Sequence, residues 1–479
     1  MIPSQLCELF LRLYGHGPIH ALRVPARINI LGEHIDYVSY LPTASLTFGS
    51  REHGMTMIFR DAESGIVRGA STLKEHPAFE FTLHNGPPVE KTDSSPSAWT
   101  DFLYSNPAPA PHWSNYVKGS VHFARHKYGR QIRRGFDFLV DSGIPASAGA
   151  SSSSALVVLA GAAVRSVNHV RYGPEDLARD SSQAEWYMGT RGGAMDHLTI
   201  CLARMRHAVH ISYPAQEARL VGAPCEPFRW VTFFSHAADK GRAVKLEYNE
   251  RSAVARILIP AIIERWARHQ PSLAEQWTNS VDLLRNNPRL ATASLERLLN
   301  QLPVEVTLAD VAQHYPEALQ QCRLAFPELV RDRFERPLKV RARALHHLGE
   351  IGRVASALLS FQRMSQSGAL PPVAEIQEEM ASIGALLNQA HQSLRDLYEV
   401  CTEEVDRLLD AIVSDRSVYG ARLMGGGFGG NVLALTKAEN AASLIERVQA
   451  EYYRPQGRDG LREGGVMVST PGDGLSRIE

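Results

Sequence analysis

The sequence predicts a protein of mixed helices and strands that is divided into at least two domains. Its 479 residues are 44% apolar and 21% charged, as in ordinary globular proteins, and this length suggests about two to four domains. The first half contains short apolar runs broken by polar residues, which is the pattern of strands. From residue 245 onward, apolar residues recur at steps of three and four, which is the pattern of helices.

The predicted elements of the first half leave two long connections. Residues 20–60 read as strands on either side of a loop at 32–43. Residues 85–112 contain NGPP, SSPS and NPAPAPH, and we expect them to form a surface excursion. The remaining predicted strands are 136–140, 208–212, 230–234 and 431–436, and the predicted helices are 174–190 and 194–203.

The charge balance excludes several classes of function. The 51 basic and 51 acidic residues cancel, so the sequence has no electrostatic signature for nucleic acid or an anionic membrane. No apolar run is long enough to span a bilayer, and the charged, helix-spaced N-terminus is not a secretory signal. The five cysteines are far apart with no CxxC pair, which favours a reducing compartment and argues against a zinc site. We therefore expect a cytoplasmic protein without nucleic-acid or membrane partners.

The segment IPASAGASSSSA at 144–155 has the composition of a phosphate-binding turn. It connects an alternating apolar run to the long apolar stretch 156–164. A turn rich in small residues at the start of a helix leaves backbone N–H groups free at the positive end of the helix dipole, and this geometry binds phosphate. The alternative is a flexible serine linker, but a linker seldom opens directly into an apolar helix.

A second glycine cluster, RLMGGGFGGNVLALT, occupies residues 422–436. Gly425, Gly427 and Gly430 fit the dinucleotide pattern G-x-G-x-x-G, yet they precede a predicted strand where that fold requires a helix. The chain also lacks the HRD and DFG motifs of protein kinases and the GxxxxGK[ST] motif of P-loop proteins. The cluster has more glycines than a structural turn needs, which favours close approach to a ligand or to another backbone.

The segment RINILGEHIDY at 27–37 concentrates polar chemistry after a predicted strand. Arg27, Glu33, His34 and Asp36 surround Gly32. Singly, each is usually a solvated or satisfied group, but together they offer donors and acceptors suited to a ligand with many hydroxyls. The sequence therefore predicts a sugar or polyol site.

These three segments, in this order, resemble the three motifs of the GHMP small-molecule kinases, and the first is close to the galactokinase form GRxNLIGEHTDY. The resemblance extends over residues 20–450. Further segments similar to those of galactokinases are WSNYVKG (113–119), AMDH (194–197), EYNER (247–251) and HQSLRDLYEV (391–400).

The resemblance implies an α+β, two-domain GHMP kinase fold with the active site in the interdomain cleft. The implied N-terminal domain is 1–215 and the implied C-terminal domain is 216–479. The implied activity is ATP-dependent transfer of the γ-phosphoryl group to the anomeric hydroxyl of galactose or a closely related sugar. Two alternatives are a kinase for another sugar, such as N-acetylgalactosamine, arabinose or a uronic acid, and a sugar sensor without turnover. The implied partners are a sugar, ATP and Mg²⁺, in a monomer or weak dimer.

The resemblance also assigns roles to single residues. Arg27 and Asp196 would be the catalytic pair, and Ser153 with Glu185 would hold Mg²⁺. Glu33, His34, Asp36, Gly193 and Tyr248 would line the sugar pocket. The ATP-binding residues would be Ser147, Ala148, Gly149, Ala150, Ser151, Ser152, Ser153, Gly426 and Gly427.

The predicted catalytic chemistry depends on Asp196. A carboxylate that accepts the proton of the sugar hydroxyl contributes about 10² to 10⁴ in rate, but a neighbouring guanidinium lowers its pKa and makes it a poorer base. We therefore expect Asp196 to orient the hydroxyl more than it removes the proton. Simpler structural roles are also open: Asp196 as a helix cap, Glu185 as a surface residue, and Tyr248 as a half-buried core aromatic.

The chain departs from the family pattern in several places. Ser147 and Ala148 replace two glycines of the usual phosphate loop and Ser154 replaces an alanine, so the magnesium-binding hydroxyl is Ser153 or Ser154 according to the register; we choose Ser153. The interval from Asp36 to Pro42 is two residues shorter than in galactokinases. The chain is also longer than a typical galactokinase, and we place the excess at 85–112 and near 255–300, without a predicted function for either.

Overall fold

The computed structural model describes residues 3–62, 64–83, 96–106, 108–144, 149–189, 191–223, 226–237, 242–332, 336–365, 372–462 and 464–478. The strands are β1 (His20–Leu31), β2 (Thr43–Ala62), β3 (Ile66–Ser71), β4 (Phe79–Thr82), β5 (Gly135–Ser142), β6 (His207–Tyr213), β7 (Glu217–Gly222), β8 (Phe228–Phe234), β9 (Val418–Met424), β10 (Asn431–Lys437), β11 (Val466–Ser469), β12 (Pro471–Gly472) and β13 (Ser476–Arg477).

The helices alternate with the strands in the first half and dominate the second. They are α1 (Ser4–Tyr14), α2 (Pro96–Ser105), α3 (Ser114–Tyr128), α4 (Ser152–Val167), α5 (Pro174–Glu185), α6 (Met195–Leu202), α7 (Arg242–Ala253), α8 (Ile259–His269), α9 (Pro271–Asn286), α10 (Pro288–Leu299), α11 (Leu308–His314), α12 (Pro316–Ala325), α13 (Pro327–Asp332), α14 (Val340–Ser365), α15 (Val373–Ser393), α16 (Glu403–Val413) and α17 (Ala438–Val448).

The first sheet is organised around the long strand β2. Its strand order is β13-β1-β2-β5-β3-β4, and β2 also pairs with β6 and β12 at its other positions. Every pairing in this sheet is antiparallel except β3 with β5. The register of β1 against β2 shifts between Pro25 and Arg27, so the Arg27 backbone is free to donate instead to the carbonyl of Ala150 in the phosphate segment, at 3.3 Å.

The second sheet is smaller and carries the glycine cluster. Its order is β11-β8-β10-β9, all antiparallel. The residues between β9 and β10 are the glycine cluster, so the segment NVLALT forms a strand, as predicted. Helices α16 and α17 share a buried core with this sheet.

A group of helices forms a third core beside the loop at 32–43. The described residues within 254–351, which we call the helical unit, bury apolar side chains from α8 to α14. Four residues of the loop join that core: Ile35, Tyr37, Val38 and Leu41. The extra helical stretch near 255–300 is therefore packed directly against the predicted sugar segment.

The sheets do not divide the chain at residue 215. Strands β6 and β7 form a hairpin on either side of that position and belong to the same sheet. Strands β12 and β13 also return from the end of the chain to pair with β2 and β1. The predicted division into domains 1–215 and 216–479 remains a prediction, and its boundary falls inside this hairpin.

The proline-rich segment is only partly a surface excursion. Residues 84–95 lie outside the described residues, but α2 follows them, and Trp99 of this helix is buried. The indole Nε1 of Trp99 donates to the carbonyl of Gln183 at 3.0 Å. The prediction of an excursion over all of 85–112 was therefore wrong for α2, because Trp99 has enough apolar surface to anchor it.

Among the described residues, no helix is both long and apolar enough to cross a bilayer.

Candidate active site

A cavity of about 720 Å³ lies where the three predicted motifs meet. Its wall includes eleven of the predicted site residues: Arg27, Glu33, His34, Asp36, Ser153, Glu185, Gly193, Asp196, Tyr248, Gly426 and Gly427. Gly149, Ala150, Ser151 and Ser152 are described but do not line this cavity. Ser147 and Ala148 lie outside the described residues.

Arg27 and Asp196 form an ion pair in the cavity wall. Arg27 Nε donates to Asp196 Oδ1 at 2.6 Å, and Arg27 Nη1 donates to the carbonyl of Gly149 at 3.2 Å. The second oxygen of Asp196 accepts a hydrogen bond from Ser151 Oγ at 2.5 Å. Ser151 has a left-handed backbone, with φ of 61°, immediately before α4. The phosphate segment and the predicted catalytic pair are therefore joined by direct contacts.

Asp196 is not a helix cap. The N-cap position of α6 is Ala194, and no side chain caps this helix. Burial alone would raise the pKa of Asp196, but the Arg27 charge and the hydrogen bonds from Arg27 and Ser151 lower it below its ordinary value. The carboxylate is therefore ionised at neutral pH and is a weak base, as the sequence led us to expect.

The two glycine-containing bends touch each other. Gly149 and Gly425 both have positive φ, of +72° and +96°. A Cβ atom added to Gly425 would lie 2.9 Å from the Cα of Gly149, and one added to Gly149 would lie 2.7 Å from the carbonyl oxygen of Met424. Both glycines are required because backbone approaches backbone here. Gly426, by contrast, faces the ring of Tyr248 and lines the cavity.

Glu185 ends α5 and reaches the cavity. Its Oε2 accepts a hydrogen bond from Ser154 Oγ at 2.8 Å and lies 2.9 Å from His197 Nε2. Burial alone would raise the pKa of Glu185, but His197, Ser154 and Ser153 lower it. A carboxylate beside two hydroxyls is a set of hard oxygen donors, which fits Mg²⁺. Glu185 is therefore a wall residue of the cavity, with its side chain 18% exposed.

Glu33 connects the sugar segment to the glycine cluster. Its Oε2 accepts hydrogen bonds from Arg422 Nη1 at 3.1 Å, Asn29 Nδ2 at 3.0 Å and the Gly425 backbone N–H at 2.9 Å. Arg422 is fully buried in β9. One carboxylate thus satisfies a buried cation, an amide and a backbone donor. The sequence analysis missed Arg422, although it opens the segment RLMGGGFGG.

Asp36 and Gly193 approach each other closely in the cavity wall. The Asp36 Oδ2 accepts a hydrogen bond from the Met195 backbone at 3.2 Å, and a Cβ on Gly193 would come within 2.2 Å of the same oxygen. Burial and the nearby Asp196 carboxylate raise the pKa of Asp36 to about 6. Only glycine fits at position 193, because the carboxylate occupies the space of a side chain.

His34 has an uncommon backbone and one nitrogen without a protein partner. Its φ is 60°, and its Nδ1 is 2.8 Å from the Tyr37 hydroxyl. Its Nε2 has no hydrogen-bond partner among the described residues. Burial, together with the Arg251 and His347 side chains, lowers the pKa of His34 to about 3, so the ring is neutral. The Tyr248 ring lies 5.8 Å from it and lines the cavity, so Tyr248 is more than a core aromatic.

The cavity wall also includes residues that were not predicted to belong to the site. Pro109 and Pro111 come from the proline-rich segment, which had no predicted function, and Glu328 and Arg331 come from α13 of the helical unit. Lys245 of α7 also lines the cavity. Nothing in the local sequence marks these residues, because only the tertiary fold brings them to the cavity.

Family models match the chain in three places. The model described as GHMP kinases N terminal domain matches residues 115–204, and the model described as GHMP kinases C terminal matches residues 369–454. A third, described as the galactokinase galactose-binding signature, matches residues 8–44. The matched regions contain the Asp196 region, β9 with the glycine cluster, and the segment from Arg27 to Asp36.

Known proteins resemble the chain over nearly its whole length. The galactokinase of Bos taurus is 27% identical over 467 residues, covering 95% of this chain and 94% of that protein. The galactokinase of Chloroflexus aggregans is 28% identical over 483 residues, covering 99% and 97%. The crystal structure of Lactococcus lactis galactokinase complexed with galactose shares the fold, with a TM-score of 0.69 at 23% identity and 100% coverage of both chains. The chain thus carries matches to the models of both GHMP kinase domains and to the galactose-binding signature of galactokinases.

Proposed function

We propose that this protein is an ATP-dependent sugar kinase that transfers the γ-phosphoryl group to the anomeric hydroxyl of galactose or a closely related sugar. The observation that carries the proposal is the Arg27–Asp196–Ser151 arrangement, which joins the phosphate segment to the sugar segment in one cavity wall. The match to the galactokinase galactose-binding signature at 8–44 and the galactokinase relatives support galactose as the first sugar to test.

Alignment and charge would supply most of the rate enhancement. Phosphoryl transfer passes through a loose transition state, so the protein mainly positions the reacting groups and stabilises the negative charge on the moving phosphoryl group. Asp196 would accept a hydrogen bond from the attacking hydroxyl and hold its oxygen in line. Arg27, whose charge is always present, would face the developing negative charge from the same wall. Because its pKa is low, Asp196 would take the proton fully only late in the transfer.

Glu185 and Ser153 would hold Mg²⁺, as the family resemblance implies. When bound, Mg²⁺ neutralises charge on the ATP phosphates. The backbone at 147–153, with Gly426 and Gly427, would surround those phosphates, although residues 147–148 lie outside the described part of the chain. The sugar would lie against Glu33, His34, Asp36, Gly193 and Tyr248, which all line the cavity.

We also propose that both domains contribute residues to the active site. The sugar segment begins in β1 and the phosphate segment follows β5, both strands of the first sheet, whereas the glycine cluster connects β9 and β10 of the second sheet. The cavity between them would be the cleft of the two-domain fold. A cytoplasmic location and a monomeric or weakly dimeric state remain predictions from the sequence.

The deciding experiment is an assay of ADP release with a panel of sugars. The panel contains galactose, N-acetylgalactosamine, arabinose, galacturonic acid and glucose, each with Mg²⁺ and ATP. We expect the highest kcat/KM with galactose and a product phosphorylated at the anomeric position, checked by ³¹P and ¹H NMR. Turnover with another sugar alone would reassign the substrate, and binding of galactose without turnover of any sugar would favour the sensor.

A further inference from the structure

Five aromatic side chains form an unbroken series of hydrogen bonds behind the cavity. The His34 Nδ1 is 2.8 Å from the Tyr37 hydroxyl, and that hydroxyl is 2.9 Å from the Tyr398 hydroxyl. The Tyr398 hydroxyl is 3.3 Å from His347 Nε2, and His347 Nδ1 is 2.7 Å from the Tyr40 hydroxyl. We call His34, Tyr37, Tyr398, His347 and Tyr40 the relay.

Each member of the relay has one proton to donate. Burial lowers the pKa of His34 to about 3 and the pKa of His347 well below its ordinary value, so both imidazoles are neutral. A neutral imidazole has one N–H and one acceptor nitrogen, and a tyrosine hydroxyl has one O–H. Each link needs one donor and one acceptor, and two donors that converged on Tyr37 or Tyr398 would leave that buried hydroxyl proton without an acceptor in the series. The fewest groups are left unsatisfied when all the links point the same way, and the tautomers of His34 and His347 are then coupled.

The two ends of the relay decide its direction. If the donors point away from the cavity, His347 donates to Tyr40, and the Tyr40 hydroxyl proton then has no acceptor among the described residues. The His34 Nε2 also remains an unpaired acceptor in that case. If the donors point toward the cavity, Tyr40 is satisfied and the unpaired group is the N–H of His34. This direction leaves fewer polar groups unsatisfied, and a ligand oxygen completes it.

We propose that the relay is directed toward the cavity, from Tyr40 through His347, Tyr398 and Tyr37 to His34, so that His34 presents Nε2–H to the substrate. Tyr40, His347 and Tyr398 are then positioning residues that fix the tautomer and ring orientation of His34. The proposal deepens the proposed function, on which it rests. The substrate atom opposite His34 must accept a hydrogen bond, so a hydroxyl or carboxylate oxygen fits and an ammonium group does not.

The far end of the relay lies in the segments that distinguish this chain from a typical galactokinase sequence. Tyr40 belongs to the shortened interval between Asp36 and Pro42, and its ring stacks on Trp277 of the helical unit, with ring centres 6.3 Å apart. His347 lies on α14, one turn before Glu350, whose carboxylate accepts from the Gly32 backbone at 2.7 Å. The helical unit, whose stretch near 255–300 had no predicted function, thus contacts the loop at 32–43 through Trp277 and Glu350.

Imidazole tautomers can be read directly by NMR. We would label the full-length protein with ¹⁵N-histidine and record long-range ¹H–¹⁵N spectra at neutral pH without substrate. The His34→Gln and His347→Gln variants identify the two rings by the signals they remove. We expect both rings to be neutral with the proton on Nε2. A proton on Nδ1 of either ring would overturn the proposal, since it would reverse or break the relay.

A kinetic comparison tests the positioning role without NMR assignments. Tyr398→Phe removes the central hydroxyl and keeps the ring. We expect the KM for the sugar to rise about fivefold, the equivalent of one lost hydrogen bond, with kcat and the KM for ATP unchanged within about twofold. The matched control is Tyr453→Phe, which removes a buried hydroxyl that donates to the Phe234 carbonyl at 2.8 Å in the second sheet.

The two tests separate this proposal from the proposed function. Tyr398→Phe could leave the sugar KM unchanged and lower thermal stability as much as Tyr453→Phe does. The relay would then only stabilise the fold, and its positioning role would be overturned. If the protein phosphorylates no sugar, the kinase proposal fails, but the NMR spectra still decide the direction of the relay. An amino sugar with an ammonium group that bound as tightly as the parent sugar would also count against an N–H donor at His34.

Discussion

The two walls of the cavity use charge in different ways. In the phosphate-side wall, Arg27, Asp196 and Glu185 line the cavity, and their partners include each other, nearby hydroxyls, the Gly149 carbonyl and His197. In the sugar-side wall, the charge of Glu33 is taken up by buried Arg422, and His34 is neutral. The charges of the first wall can act on the charge of a ligand, whereas the second wall mainly keeps its side chains in a fixed arrangement. Changes in the first wall should therefore alter the rate, and changes in the second should alter stability or sugar binding.

The largest effect is expected from Asp196→Asn. The variant keeps the size of the side chain but removes the acceptor charge, so kcat should fall by roughly 10² to 10⁴ in the ADP-release assay. The control is Asp137→Asn, which removes the charge of a more deeply buried carboxylate that pairs with Arg60 and Arg68 away from the cavity. The control should lose stability and keep kcat. Equal losses of kcat in both variants would contradict a catalytic role for Asp196.

Glu33→Gln tests the opposite wall. It leaves the Arg422 guanidinium buried without a counter-charge, so we expect the free energy of unfolding to fall by about 3–5 kcal/mol, measured by urea denaturation. The folded fraction should retain a kcat within a few fold of the unaltered protein. A large loss of kcat with unchanged stability would mean that both walls act on the transition state.

The Asp36 carboxyl makes the stability of the folded protein depend on pH, and its raised pKa fixes the direction of this dependence. Its pKa is raised to about 6 in the folded protein, above the ordinary value of 3.8. Between these values the folded state binds more protons than the unfolded state, so stability is lost as pH rises through this range. Relative to Asp36→Asn, the protein should lose about 2 kcal/mol between pH 4 and pH 6.5. Urea denaturation of both proteins measures the difference, and a difference that does not change with pH would exclude the raised pKa.

Glu185→Gln tests the predicted magnesium site in the phosphate-side wall. We expect the Mg²⁺ concentration for half-maximal rate to rise by about 10- to 100-fold, at least the cost of losing an outer partner of a metal. Saturating Mg²⁺ should restore most of kcat. A loss of rate that no Mg²⁺ concentration repairs would place Glu185 in the transfer step instead of the metal site.

The smallest effect is expected when the two serines beside Glu185 are compared by substitution. Ser153 is the predicted ligand, whereas the Ser154 hydroxyl already donates to Glu185. Ser153→Ala should therefore raise the Mg²⁺ requirement several fold more than Ser154→Ala, each losing about one hydrogen-bonding group. The reverse order of effects in a Mg²⁺ titration would transfer the role to Ser154.

Strands β1, β2, β5, β6, β8 and β10 and the helix-rich second half could be predicted from the sequence, because they depend on local periodicity. The meeting of the three motifs was expected from the family resemblance. Arg27 and Asp196 were found through their motifs. The contacts with Arg422, His347 and Trp277 could not be predicted, since they join residues that are distant in the chain and unmarked by any local pattern. Trp99 was missed for a related reason: a proline-rich context predicted exposure, and only the fold shows what the indole packs against.

The strand at 476–477 pairs with β1, and the one at 471–472 pairs with β2, so the first sheet joins strands that lie far apart in the sequence. On the ribosome, β1 and β2 emerge long before these two partners have been synthesised. Removing residues 470–479 should therefore destabilise β1 and β2, although hundreds of residues separate them from the deleted segment.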